Sequence, residues 1–212
     1  MLLRVSTSAT RREQVRQSRE EVRARIVAAA RDLLRTRSFA ELTVDDVMRA
    51  AGQGRTVFYR HFDDLPDLLR RSSREAVDEL YAAQEQLTRE RPPMPPGGAL
   101  RSLRPAVAVY ERHGPLLRGV TEAAASDPEI AAALAALRVR FEDLATSVLQ
   151  AAAGRSAAPL ADPRQTARAL NLMNESYLLD AFGREPRVDP EVAARTLAEI
   201  WTAAVTPEGG TA

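Results

Sequence analysis

The stretch "TVDDVMRAAGQGRTVFYRHF" (residues 43–62) decides how this chain is read. Thr43 is a good N-cap, and Asp45 and Asp46 follow it in a first helical turn, where acids favour the helix dipole. This short helix ends near Gly52. A second short helix covers about Arg55 to His61. Two short helices joined by a Gly-containing turn make the helix-turn-helix pattern. Val44, Val47 and Met48 can face inward from the first helix. On the second, Phe58 and Phe62 lie four apart and share a face, so they anchor it to a core. The opposite face presents Arg55, Thr56, Tyr59 and Arg60, with Val57 near its edge.

That division of labour is what reading DNA requires. Apolar anchors hold the helix while polar side chains enter the major groove. Arg55 and Arg60 can pair bidentately with guanine, and Val57 or the Thr56 methyl can touch a thymine methyl. Tyr59, His61 and Thr43 suit phosphate contacts that fix the register. The pattern also occurs as a plain structural turn in all-α proteins.

Charge along the chain favours a polyanion partner. The net charge of +1 hides a difference between its parts. Residues 1–71 carry 15 Arg against 10 acids, and residues 72–212 carry 15 Arg against 19. A basic front part is the footprint of nucleic-acid binding. All 30 basic residues are Arg, which suits bidentate recognition of phosphate and guanine. Genomic base composition driving codon use accounts for that usage better. The absence of cysteine excludes disulfides and thiolate chemistry and fits a reducing cytoplasm. No apolar run has the length of a signal peptide or of a membrane span of ~20 residues. The expectation is a soluble cytoplasmic protein with no membrane partner.

Helical periodicity dominates, so the expected fold class is all-α with about nine helices. Residues 1–17 read as a mobile basic arm. Residues 18–63 form a three-helix head with the helix-turn-helix. Residues 64–206 form a larger helical domain, and 207–212 a tail. The first helix is expected from about Arg19 to Thr36, with Val22, Ile26, Ala29, Ala30, Leu33 and Leu34 on its apolar face. Asp64 caps a long fourth helix reaching roughly Arg89. "RPPMPPGG" (91–98) connects two helical layers. Asp127-Pro128, Asp162-Pro163 and Asp189-Pro190 each place a capping acid before a proline at the first helical position. Further helices are expected over about 99–113, 115–125, 128–153, 163–182 and 190–205, with Gly114, Gly154 and Gly183 as stops.

Residues 19–70 resemble the DNA-binding domain of TetR-family transcriptional repressors. The residues that carry the likeness are "LTVDDVMRAAG", "RTVFYRHF" and "DLL". The stretch "ALNLMNESYLLDAFGREP" (169–186), with Trp201 downstream, is similar to the ethionamide-resistance-regulator branch of that family. The turn departs from the family pattern. Gln53 and Gly54 stand where an apolar residue and a Ser are usual, Thr56-Val57 where Gly-Thr is common, and Leu65 where a phosphate-contacting Lys often begins helix four.

The resemblance implies a C-terminal domain that dimerises and binds a small effector. Helices 163–182 and 190–205 would form a four-helix bundle with a second copy, with Leu170, Leu178, Val192, Leu197 and Ile200 contributing. Asn171 and Asn174 interrupt an apolar stretch and share a helical face. By resemblance they match ligand-orienting amides, and Trp201 an aromatic near the pocket. Leu134, Leu137, Phe141 and Leu144 would form a wall, joined by Val109. The same residues also suit a packed core, with the amides bonding across a dimer or facing water. So few aromatics favour a flexible apolar or amphipathic effector. Arg138 suits either an anionic ligand or a solvated face.

No catalytic or metal-binding constellation appears. The two histidines, His61 and His113, are far apart, and the acid pairs sit at helix starts or on polar faces. The expected protein is a non-enzymatic, cofactor-free regulator. It binds a palindromic double-stranded operator as a homodimer and is released by a small effector. The alternative is a small-molecule-binding helical protein of the same fold with lost or altered DNA binding.

Overall fold

The computed structural model describes residues 4–89, 97–153 and 160–205, with side chains over 16–83, 97–151 and 160–204. Among these residues the structure is all helical. In chain order it comprises α1 (Arg4–Leu34), a 3-10 turn (Phe39–Glu41), α2 (Val44–Ala50), α3 (Arg55–Phe58), α4 (Leu65–Ser72), α5 (Arg74–Arg89), α6 (Gly98–Ala123), α7 (Pro128–Ala153), α8 (Pro163–Gly183) and α9 (Pro190–Val205). The expected stop at Gly154, residues 91–96 of the Pro-Gly connection and the tail lie outside the described residues.

The capping expectations hold at each acid. The Thr43 hydroxyl accepts from the Asp46 amide at 3.1 Å. Asp64 accepts from Asp67 N. Asp127, Asp162 and Asp189 each accept from two amides of the following turn. These bonds satisfy donors that a helix start leaves open.

Three boundaries differ from the sequence reading. α1 begins at Arg4, so residues 4–17, expected as an arm, continue the first helix. No Gly or Pro occurs before Gly52, and extending an existing helix is far easier than nucleating one. The helix expected over 64–89 divides at Ser73 into α4 and α5. There, Ser72 and Ser73 turn their hydroxyls back onto the carbonyls of Leu68 and Leu69, at 2.6 and 2.7 Å, a bond that bends helices.

The third difference is α6, which runs unbroken through Gly114 and Pro115. Pro115 has no N–H for the Glu111 carbonyl, and the Arg187 guanidinium donates to that carbonyl instead. Gly114 is a contact residue. A Cβ there would overlap the Phe182 backbone, so glycine lets α6 and α8 meet at backbone distance.

The head core contains Ile26 and Leu34 of α1, Val47 and Met48 of α2, Phe58, Phe62, and Leu68 and Leu69 of α4. It also contains Leu116 and Ala123 of α6 and Ile130 of α7. The head is therefore seated on α6 through a shared core. A second core joins α5, α6, α8 and α9. Of the residues expected in a dimer bundle, Leu170, Leu178 and Leu197 are buried within the protomer. They face α8 and α9's own neighbours, so they offer no surface to a partner. Val192 and Ile200 are exposed, at 54% and 39%, and Leu172 joins them.

Candidate functional site

The turn between α2 and α3 owes its shape to Gly52. It adopts φ +65°, a left-handed conformation that only glycine takes at little cost. The Gln53 amide bonds Met48 O at 3.0 Å, and the Gly52 amide bonds Arg49 O at 3.2 Å. This pair of bonds is the Schellman closure of α2. Gly54 is the N-cap of α3, at φ −80° and with no side-chain cap. Leu65 is half-buried and packs against the head core.

Beyond this turn, α3 is fixed by Phe58 and Phe62, both essentially without solvent exposure. Their rings lie 5.6 Å apart. Arg55, Thr56, Tyr59 and Arg60 are exposed, while Val57 and His61 are half-buried. The Arg55 guanidinium donates to both Asp45 carboxylate oxygens, at 3.3 and 3.2 Å, and to Tyr59 Oη at 3.1 Å. The Tyr59 bond and the Asp45 charge hold its proton more tightly still. Thr43 donates its hydroxyl to Asp46 Oδ2 at 2.7 Å, so the proton expected for a phosphate already has a partner. Burial first, and then Arg19, Arg23, Arg71 and Arg60, push the His61 pKa below its usual range. His61 and Arg60 border an open groove of about 1340 Å³ whose walls include Arg16, Arg19, Arg23 and Arg71.

A second concavity, of about 620 Å³, lies among α5, α6, α7 and α8. That volume suits a small organic ligand. Leu134, Leu137, Phe141, Asn171 and Asn174 line it, as do Leu103, Tyr110, Leu117 and Leu178. Val109 does not. It is buried in the second core, one residue from Tyr110 and hence on another side of α6. Leu144 is half-buried off the cavity wall. Trp201 reaches the cavity through Asn174: its indole N–H donates to Asn174 Oδ1 at 3.2 Å. That bond directs the Asn174 oxygen toward the tryptophan. Asn171 Nδ2 is buried and has no hydrogen-bond partner among the described residues.

Arg138, also on the wall, forms a bidentate pair with Glu175 at 2.8 and 2.7 Å. The hydrogen bond to Glu175 keeps the guanidinium charged despite partial burial. Burial, followed by the Glu175 charge, pushes the Tyr110 hydroxyl pKa well up, so it stays protonated. The sequence reading missed the α6 wall. Leu103, Ala106, Tyr110, Leu117 and Val120 follow a helical period across one face, visible only when 98–123 is read as one helix. Among the described residues no group of three His, Asp or Glu side chains could hold a metal ion. None of their helices is long and apolar enough to cross a membrane.

An all-helical chain with a helix-turn-helix head over an apolar cavity has the layout of a one-component regulator. Comparisons with known proteins define the family. Residues 26–71 match the model of the bacterial regulatory proteins, tetR family, and residues 100–206 match that of the C-terminal domain of transcriptional regulator EthR. The chain belongs to the TetR family of transcriptional regulators, with an EthR-type C-terminal half. It is 30% identical to the HTH-type transcriptional regulator EthR of Mycolicibacterium smegmatis over 192 residues, 90% of this chain and 88% of the relative. It is 28% identical to EthR of Mycobacterium tuberculosis over 197 residues, covering 92% and 91%. Its fold is similar to that of the TetR-family regulator PfmR from Thermus thermophilus, with a TM-score of 0.69 at 20% identity over 87% of this chain and 98% of that one. Thermus thermophilus FadR, a TetR-family repressor solved with lauroyl-CoA, gives 0.54 at 20% identity over 90% and 98%.

Proposed function

We propose that this chain is a homodimeric repressor that binds a palindromic operator and is released when a small amphipathic molecule enters the α5–α8 cavity. The observation that carries the reading is the cavity's make-up: leucine walls with the unpartnered Asn171 amide donor among them. A buried donor left unpaired costs about 1–3 kcal/mol; Asn171 Nδ2 is closed off from the cavity space, so the amide would have to rotate to meet a ligand carbonyl, ester or thioester oxygen. FadR's crystallisation with lauroyl-CoA supports an acyl chain as one such ligand. Asn174, Leu134, Leu137 and Phe141 would contact the ligand directly, and Trp201 would position Asn174. The exposed Val192 and Ile200 support pairing of two copies through α8 and α9. Two heads would then occupy major grooves about 34 Å apart.

On DNA, Arg55, Thr56, Val57 and Arg60 would face bases, and Thr43, Tyr59 and His61 phosphates. Asp45 occupies Nη1 of Arg55 and Tyr59 occupies Nη2, which narrows the donors Arg55 can offer a base. This pairing is the observation that favours the second reading, a regulator with altered DNA binding. Arg60 has no such carboxylate partner among the described residues and is the sharper test. If it reads a base, Arg60→Ala costs about 1–3 kcal/mol at particular operator positions. If it holds a phosphate, the loss is similar for all sequences and the salt dependence flattens by about one charge. Fluorescence anisotropy with duplexes from the chain's own upstream region, at several salt concentrations, separates the two. Unchanged binding on every duplex removes Arg60 from the interface.

A further inference from the structure

Arg118 is a guanidinium buried where no DNA or ligand role calls for one: its side chain is 8% exposed. It stands on α6 between Leu117 and Val120, which line the cavity. Its donors leave in three directions. Nε donates to the Gly183 carbonyl at 3.0 Å, at the end of α8. Nη1 donates to Glu122 on α6. Nη2 donates to the carbonyls of Leu34, the last residue of α1, and of Arg37, the latter at 2.7 Å. The second Glu122 oxygen accepts the Phe39 amide at 2.6 Å. A helix end leaves carbonyls without partners, and here one side chain fills that need for α1 and α8 together.

We propose that Arg118 is the positioning residue through which the cavity and the reading head sense one another. The proposal rests on the effector-released reading above. Both helices that meet at Arg118 also form the cavity wall, α6 through Leu117, Val120 and Thr121, and α8 through Leu178 and Leu179. Gly183 lies one turn beyond Leu179. A ligand that moves α8 against α6 therefore moves the Gly183 carbonyl against the Arg118 stem. The contact is tight, since a Cβ on Gly183 would lie 2.9 Å from Arg118 Cδ. The same guanidinium holds the end of α1, whose Ile26, Ala30 and Leu34 carry the head core. Displacing it changes the angle at which the head meets α6. Coupling is a differential interaction with two states, and this network offers two: α1, α6 and α8 tied at one guanidinium, or α8 released.

The test uses the full chain, Arg118→Met, Glu122→Gln and the upstream duplex, with two readouts. The first is amide hydrogen exchange in the free protein. Arg118→Met is expected to exchange about tenfold faster over residues 34–42, a local opening, with α9 unchanged. The second is the fluorescence of Trp201, the sole tryptophan, whose indole bonds cavity residue Asn174. Coupling is reciprocal, so saturating DNA should change Trp201 emission or acrylamide quenching in the wild type. Arg118→Met should bind the duplex without that change, and Arg118→Lys should restore part of it. Should Arg118→Met lose its helical circular dichroism, Glu122→Gln supplies the same readouts, since it keeps an acceptor for Phe39 N and removes the charge beside Nη1. Unaltered exchange over 34–42, or a wild-type Trp201 response retained by the folded variants, overturns the proposal. So does a wild type that binds DNA with no response at all. A wild type that binds no duplex overturns the repressor reading instead, while the exchange readout still decides whether Arg118 holds the head.

Discussion

Phe58→Ala is expected to loosen the reading head by about 3–5 kcal/mol, the usual cost of emptying a buried phenylalanine site. Set against the about 5–15 kcal/mol that holds a domain folded, this removes a large share of the stability. Phe58 has no solvent exposure and belongs to the core shared by α1, α2, α4 and α6. It also supports the reading face itself. The Tyr59 ring packs edge-on against it at 5.5 Å, and Tyr59 Oη holds Arg55. The predicted result is a lower-melting head and no specific DNA binding. Phe58→Leu, which keeps most of the volume, should retain both in large part. Thermal denaturation followed by circular dichroism, with DNA anisotropy on the same samples, checks this. A Phe58→Ala protein with wild-type melting and wild-type DNA affinity would show that α3 is anchored otherwise.

Gly114→Ala sets two effects against each other. Helix propensity favours alanine by about 1 kcal/mol. Packing opposes it, because the new methyl meets the Phe182 carbonyl and its backbone carbon. Backbone atoms cannot rotate aside as a flexible side chain can, so α6 and α8 must separate. Overpacking of this kind costs about 1–3 kcal/mol, and packing wins. The expected result is a net loss of stability with a disturbed cavity, since Tyr110 and Leu117 flank Gly114 on the wall. Gly54→Ser makes the contrast. Open space surrounds that position and its φ is ordinary, so a hydroxyl cap should add a few tenths of a kcal/mol. Chemical denaturation of both variants measures the difference. Stabilisation by Gly114→Ala would mean that α8 does not press on α6 there.

The same glycine shows how far the sequence could be read. Helix starts were legible because a capping acid before proline is a local signal, and each such acid makes its cap. The anchors Phe58 and Phe62 were legible because their spacing places them on one face. Gly114 was not, because a helix stop and a backbone-distance contact use the same residue, and only the position of Phe182 separates them. Reading it as a stop divided α6 and hid the wall formed by Tyr110, Leu117 and Val120. The break at Ser73 leaves no signal in the sequence, because serine hydroxyls return to the helix carbonyls only in a particular rotamer. Arg118 looked like one arginine among 30, since its acceptors are main-chain carbonyls distant in sequence. Asn171, Asn174 and Trp201 were marked by resemblance, and the structure adds that Trp201 acts on Asn174 and does not itself line the cavity.

One titration bears most directly on the account. The full chain is added to a labelled duplex from its own upstream region, at moderate salt and with competing bulk DNA. It is then repeated with saturating lauroyl-CoA, and separately with dodecanoate or a dodecanoyl ester. The expected result is a clear preference for one duplex and at least about a fivefold fall in affinity with one of these ligands, the low end of ordinary coupling between sites. No preference over bulk DNA, or a preferred duplex held equally well while a ligand occupies the cavity, would contradict it.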